Sequence, residues 1–393
     1  MKRTLFFLLG LFVALGLYGC FRIGGRGNVT GEVWSNAGPI EGALVEGGGK
    51  STLTDANGRF LLEDVSTGNC YVFFSHPSYT GAVLEVEVVD GETRSINAEG
   101  RVVLQGRSDE NLREYLFTLY ELGFYGRVLE GTKDFLSAYP MSPLAAGVTF
   151  LEGASLFYLG RYREAIEPLG VVVGQFPEDP FADDAQYLLA KCFGEGLRDY
   201  SRAIVEYRKL IEEYPGSELV GNAWYEMGDC LYILGSFPDA FFAYENAVSF
   251  GGEVASKALY SAAHCLYRME FYNRAAERFL KYVALYPATD LSDDAQYFAG
   301  ASLYKAGRFA EALQAFDDCV RLYPQGTWYN GILIAPAALF HKGLCLEKLG
   351  RYLEAYNLYL EIIRKYPGAK WADGSSLIQN VQFRIEWLKK YVL

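Results

Sequence analysis

The residues able to do chemistry are few and scattered. Three histidines occur, His76, His264 and His341, beside seven cysteines. A zinc or redox site needs thiolates and imidazoles at short spacing or gathered by the fold. Cys192, Cys230, Cys265 and Cys345 instead stand 35 to 80 residues apart, and Cys70 and Cys319 have no evident companion. Two carboxylate pairs are more conspicuous, Asp183-Asp184 and Asp293-Asp294, each within the run Asp-Asp-Ala-Gln-Tyr. Paired carboxylates can hold a cation. With no histidine beside them, they read as helix openings, where acidic side chains cap free N–H groups and complement the dipole. Asp55 and Asn57 suggest a calcium loop, but an EF-hand register needs further acids and a glutamate at its twelfth position. Asp55–Gly58 therefore reads as a turn. No Ser/His/Asp, Cys/His or phosphate-loop spacing is present. The expectation is a chain with no catalytic residue, no metal and no cofactor, and so not an enzyme.

Cys20 is the exception. Lys2 and Arg3 precede an apolar run, Leu5–Leu17. That run falls short of the ~20 residues that span a bilayer and suits a secretory signal. It ends in Leu17-Tyr18-Gly19-Cys20, which resembles the bacterial lipoprotein signal. The resemblance implies lipidation of Cys20 and, with Phe21 rather than Asp following, an outer-membrane anchor facing the periplasm. The cell surface and the outer face of the inner membrane are the alternative locations. The chain carries a net charge of −12, or −14 once Lys2 and Arg3 are removed. Such a surface repels phosphate backbones and anionic headgroups, so nucleic acid is not an expected partner and lipid would be the tie to the membrane.

The elements that must position these residues come in repeats. An aromatic-Pro pair recurs at Tyr139, Phe176, Tyr214, Tyr286, Tyr323 and Tyr366, with Phe250-Gly251 in the vacant place. Successive spacings are 37, 38, 36, 36, 37 and 43. Proline or glycine there ends a helix. Within each unit an aromatic residue precedes an alanine by three positions, as in Tyr162/Ala165 and Tyr352/Ala355, and a large residue follows four positions later. That i, i+4 pair shares one helix face. The preceding helix carries its own small residue, at Gly153, Ala190, Gly228, Ala263, Gly300 and Gly343, with an aromatic three residues earlier. Four cysteines sit two residues after this small position. Equivalent positions on packed helices lie at least ~8–10 Å apart, too far for a disulfide, which needs Cα atoms within ~7 Å. They are expected to be buried small residues.

These spacings resemble the tetratricopeptide repeat, most clearly at Trp224, Gly228, Ala240, Tyr244 and Ala247. The resemblance covers about seven units over 108–367, with a weaker first unit in which Val128 and Thr132 replace the alanine and the large residue. Trp371–Leu393 is expected to close the array as a capping helix. The aromatic-Pro endings resemble the periplasmic lipoproteins like BamD and the Tol-Pal-associated coordinator, both of which bind protein partners. In this family the first helix of each pair lines a groove. Carried over, the contact candidates are Tyr187, Tyr225, Tyr260, Tyr297 and Phe340, a second ladder of Tyr232, Tyr267 and Tyr304, and the polar residues Asn222, Asp229, Lys257 and His264. Packing against the neighbouring helix is the competing role for these rings. Gln325–Ala335 lengthens the last unit and is either a contact loop or a local plug.

Before the repeats, short runs such as Val29–Val33, Arg59–Leu62 and Val83–Val89 alternate with turns, the pattern of a β-sandwich. Val29-x-Gly31-x-Val33, Pro39-Ile40-x-Gly42-Ala43-x-Val45 and Thr52-x-Thr54-Asp55-x-Asn57-Gly58-x-Phe60 resemble the carboxypeptidase regulatory-like domain, a transthyretin-like accessory fold. The expected organisation is a signal peptide (1–19), a lipidated Cys20 and tether (20–27), a β-sandwich (28–104), an all-α tetratricopeptide-repeat solenoid (108–367) and a capping helix (368–393). The expected role is a membrane-anchored scaffold for protein or peptide partners in the bacterial envelope, in outer-membrane protein assembly or envelope maintenance. A structural part in a polysaccharide or secretion complex, or an accessory to a cell-wall enzyme, is the alternative.

Overall fold

The computed structural model describes residues 25–392, so Cys20 and the leader before it lie outside the described residues. The chain divides into two compact units between Leu197 and Arg198. No helix among the described residues is long and apolar enough to cross a membrane.

The first unit opens with a two-sheet β domain. In one sheet β1 (Arg26–Ser35) pairs antiparallel with β2 (Gly38–Pro39) and β5 (Arg59–Ser66), and parallel with β8 (Thr93–Ser95) and β9 (Arg101–Val103). The other runs β4 (Lys50–Leu53), β3 (Leu44–Gly47), β6 (Gly68–His76), β7 (Tyr79–Val88), all antiparallel. Alternation builds the core between them. Phe60 and Leu62 of β5 are buried between exposed Arg59, Leu61 and Glu63, and Val86 and Val88 of β7 alternate with exposed Glu85 and Glu87. Phe60 meets Phe74 of β6 edge-on at 5.7 Å. The Asp55 carboxylate accepts the N–H groups of Asn57 and Arg59 at 2.9 and 2.8 Å, and Gly58 takes φ +75°, as a turn requires. Strand β1 begins inside the expected tether, because Arg26 N–H donates to Asp90 Oδ1 at 2.9 Å and Arg26 C=O accepts from Gly91 at 2.8 Å.

Five helices complete this unit: α1 (Asp109–Glu121), α2 (Tyr125–Ala138), α3 (Ala145–Tyr158), α4 (Tyr162–Gln175) and α5 (Ala182–Lys191), the last extended by a π turn over Cys192–Gly196. Ser108 caps α1, its Oγ accepting Asn111 N–H at 3.1 Å. The β domain is docked against the first helix pair. Phe124, at the start of α2, fits edge-on between Tyr71 and Phe73 at 5.1 and 4.8 Å. Arg127 stacks on Phe73 at 3.9 Å and pairs with Glu46 at 3.2 Å. Val128 and Thr132, the atypical residues of the first unit, are fully buried.

The second unit comprises α6 (Tyr200–Glu213), α7 (Val220–Ile233), α8 (Phe237–Val248), α9 (Gly252–Arg268), α10 (Tyr272–Leu285), α11 (Ser292–Lys305), α12 (Phe309–Leu322), α13 (Ala335–Lys348), α14 (Tyr352–Lys365) and α15 (Leu377–Val392). One lock recurs within the pairs. The small residue of the first helix receives the ring of the second: Tyr244 over Gly228, Phe316 over Gly300 and Tyr359 over Gly343. A Cβ at those glycines would stand 2.4–2.8 Å from the ring, closer than packed atoms tolerate. The matching alanines, Ala240, Ala312 and Ala355, are fully buried one turn before each ring. Each second helix then ends where the aromatic before proline leaves the helical region, at φ −124° to −132° in Tyr214, Tyr286, Tyr323 and Tyr366, since a following proline disfavours αR. Phe250 has no proline after it, and Gly251 turns the chain at φ +74° instead.

The closing helix is shorter than expected. It starts at Leu377, because Trp371–Ser376 folds as a hairpin around Asp373-Gly374, with Gly374 at φ +84°. Leu377, Val381, Ile385 and Leu388 are buried within the terminal core, while Trp387 is only half-buried. Arg384 fastens α15 to α13 by pairing with Glu347, which also accepts the Tyr359 hydroxyl at 2.7 Å.

Candidate partner-binding groove

The first helices α7 and α9 bring most of the polar and aromatic candidates together. Asp229 lies one turn beyond Tyr225 on α7, half-buried, and accepts the Tyr244 hydroxyl at 2.5 Å. Burial raises the Asp229 carboxyl above the ordinary range, and hydrogen bonds from Tyr244 and Tyr225 oppose that rise. A cavity of about 210 Å³ opens here, lined by Asp229, Tyr232, Tyr244, Ser261 and His264. His264 stands between Tyr260, Phe279 and Phe298, with ring centroids at 4.6, 4.9 and 4.4 Å. This apolar enclosure lowers its pKa to about 4, so the imidazole is neutral near pH 7. Arg268 lies over Phe237 at 4.5 Å and donates to Tyr232 Oη at 3.4 Å. Lys257 is exposed on the rim and pairs with Glu253 at 2.7 Å, and Asn222 is half-buried on α7.

Farther along, the same face is covered. Trp328, in the loop after α12, is buried and meets Tyr297 of α11 edge-on at 4.8 Å and Phe298 at 6.1 Å. Trp371, in the loop after α14, meets Phe340 and His341 of α13 at 5.3 and 5.6 Å. The two loops are one device used twice. Trp328 N–H bonds to Ile332 C=O and Gly331 N–H to Trp328 C=O, and Trp371 repeats both bonds with Ser375 and Gly374. Trp328 and Trp371 are 43 residues apart, as are Asn330 and Asp373, and Gly331 and Gly374. Thr327 N–H ties the first loop to Asp293 Oδ2 at 2.9 Å, and Asn330 Nδ2 ties it to Ala372 C=O in the second at 2.6 Å. Tyr329 remains outside, 94% exposed.

The candidates thus part into two groups. Asn222, Tyr225, Asp229, Tyr232, Lys257, Tyr260, His264 and Tyr267 lie on or beside the open stretch, with Tyr225, Tyr232, Tyr260 and Tyr267 half-buried. Tyr297 and Phe340 are buried beneath the tryptophans and act as packing rings, and Tyr304 is half-buried against Phe309 at 5.5 Å. Tyr187 belongs to the first unit and is buried there on α5. Ser261 carried no sequence signal as a lining residue. Tyr244 was legible only as a packing ring, and Trp371 read as part of a helix. The six described cysteines are buried, and burial pushes the thiols of Cys192, Cys265, Cys319 and Cys345 up to about 12, which holds them protonated at neutral pH. Asp293 and Asp294 do open α11, and no metal-holding group of His, Cys, Asp and Glu occurs among the described residues.

Comparison with known proteins bears on the helices. Models of the tetratricopeptide repeat match residues 184–217, 260–327 and 337–369. No curated protein matches the chain. Among solved structures, the C-terminal part of a TPR repeat-containing protein from Cytophaga hutchinsonii is similar at TM-score 0.52 and 14% identity, covering 66% of this chain and 96% of that one. A tetratricopeptide repeat protein from Parabacteroides merdae gives 0.45 at 13% identity, with 72% and 100% covered. Pseudomonas aeruginosa pilF gives 0.39 at 18%, with 63% and 97% covered. Repeats of this kind generally serve as scaffolds for protein–protein interaction. The helix pairs within 184–217, 260–327 and 337–369 thus carry the pattern of the tetratricopeptide repeat.

Proposed function

We propose that this protein is a lipid-anchored scaffold of the bacterial envelope that holds a segment of a protein partner along α7 and α9. One observation carries the reading. On these first helices tyrosines and an acid surround an open cavity, whereas tryptophan loops of the same chain cover α11 and α13. Tyrosine supplies contact area at low entropic cost and keeps a polar tip for the partner. The anchor is Cys20, acylated after removal of residues 1–19, and the outer membrane facing the periplasm is its site. Outer-membrane protein assembly or envelope maintenance is the process we favour, because the aromatic-Pro endings resemble those of lipoproteins in that work. The β domain, docked on α1 and α2, acts as a spacer near the lipid.

The test places a photocrosslinking residue at Asn222 or Lys257 in native membranes. An envelope protein should be captured, and Tyr225→Ala with Tyr260→Ala should abolish capture. Tyr297 is unsuitable as a test position because Trp328 covers it. Cys20→Ser should eliminate palmitate labelling and release the protein from membranes. Capture of no envelope protein, or labelling that survives Cys20→Ser, would sink the reading.

A further inference from the structure

We propose that the cavity at Asp229 seats one cationic side chain, lysine or arginine, of the bound segment. This rests on the reading of α7 and α9 as the binding stretch and names the residue class that stretch selects.

The carboxylate of Asp229 has phenol hydrogen bonds but no ion pair. Tyr244 and Tyr225 donate to it, and Lys257 acts on it only through space, without an ion pair. Lys257 is paired with Glu253, and Arg268 lies over Phe237 and donates to Tyr232 Oη. A half-buried carboxylate without a contacting ion-pair partner costs desolvation energy that a cation entering from solvent would recover. The walls suit such a guest. Tyr232 and Tyr244 are among the lining residues, and aromatic rings attract ammonium and guanidinium groups. The His264 imidazole is neutral and makes no hydrogen bond among the described residues, so it adds an acceptor and no repelling charge. At about 210 Å³ the cavity is smaller than the ~300 Å³ at which small-molecule pockets begin, and suits a single side chain. The net charge of −12 favours approach of a basic segment.

The chain's three histidines allow a direct test. In the purified full-length protein labelled with ¹³C-histidine, His264 is the one histidine lining the cavity. Nα-acetyl-arginine amide and Nα-acetyl-lysine amide are titrated beside neutral Nα-acetyl-norleucine amide. The expected result is a saturable shift of the His264 signal with the cationic probes alone, with His76 unmoved. Asp229→Asn should weaken the response at least tenfold. Ser261→Phe, which fills the cavity and keeps the carboxylate, should abolish it. An unmoved His264 signal, an equal response to norleucine amide, or full binding to Asp229→Asn would each overturn the proposal. If crosslinked capture at Asn222 persists in Asp229→Asn and the cationic probes leave His264 of the unsubstituted protein unmoved, this inference falls and the scaffold reading stands.

Discussion

Trp328 meets Tyr297 edge-to-face, with ring centroids 4.8 Å apart and planes at 88°. The indole is buried, and its N–H finds no acceptor among the described residues. Its contribution is therefore area and shape rather than a hydrogen bond. Trp328→Ala should cost about 3 kcal/mol through the void it leaves. Trp328→Phe, which removes an unsatisfied donor along with some area, should cost about 1 kcal/mol or less. Urea unfolding of the two variants measures the difference. Equal losses would contradict this account.

The ring-over-glycine lock predicts an asymmetry between glycines. Gly343→Ala pushes a methyl to 2.4 Å from the Tyr359 ring, which is anchored by its bond to Glu347 and cannot yield easily. We expect a loss of about 1–3 kcal/mol. Gly216→Ala meets nothing within 4 Å and has no positive φ, so its cost should be near zero. Thermal unfolding compares them.

Glu270 occupies the turn position where other units carry Gly235, Gly307 and Gly350, and it takes φ +64°. A side chain there is strained by about 1–2 kcal/mol, while glycine costs up to ~1 kcal/mol in unfolded-state entropy. Glu270→Gly should stabilise the protein by roughly 0.5 kcal/mol, seen as a small rise in Tm. A fall in Tm would show that the Glu270 side chain makes up for the strain.

Two half-buried groups give pH dependences of opposite sign. His264 has its folded pKa lowered to about 4 from 6.5, so its contribution is present above about 6.5 and is lost as pH falls through 4. Asp294 has its folded pKa raised to about 7 from 3.8, first by burial and then by Asp293. Its protonated form favours the fold, so that contribution is present below 3.8 and is lost as pH rises through 7. Between pH 4 and 7 the two nearly offset each other. Asp294→Asn should raise stability at pH 8 by on the order of 2 kcal/mol. It should also make stability fall with acidification, because the His264 loss is then uncompensated. Denaturant midpoints from pH 4 to 8 test both limbs.

How much of this was legible in the sequence depended on the range of the interaction. The repeats were legible because each unit restates the same local rules. Tyr352, Ala355 and Tyr359 share one face by helical geometry alone, and proline after Tyr366 ends a helix wherever it occurs. The β domain was legible through alternation and the Asn57-Gly58 turn. Its parallel strand β9 was less so, since a three-residue strand acquires meaning only beside β1.

The site divides the same way. Residue type and spacing alone determined which side chains share the first-helix face. Tertiary structure alone decided which of them remain open. Tyr225 and Tyr297 hold equivalent places in their units, yet one borders a cavity lined by Asp229 and the other lies under Trp328. Helical periodicity acts over four residues. The loop that covers Tyr297 returns from 31 positions farther along the chain, and where it lands is set by packing and by the Asp293 carboxylate that holds Thr327.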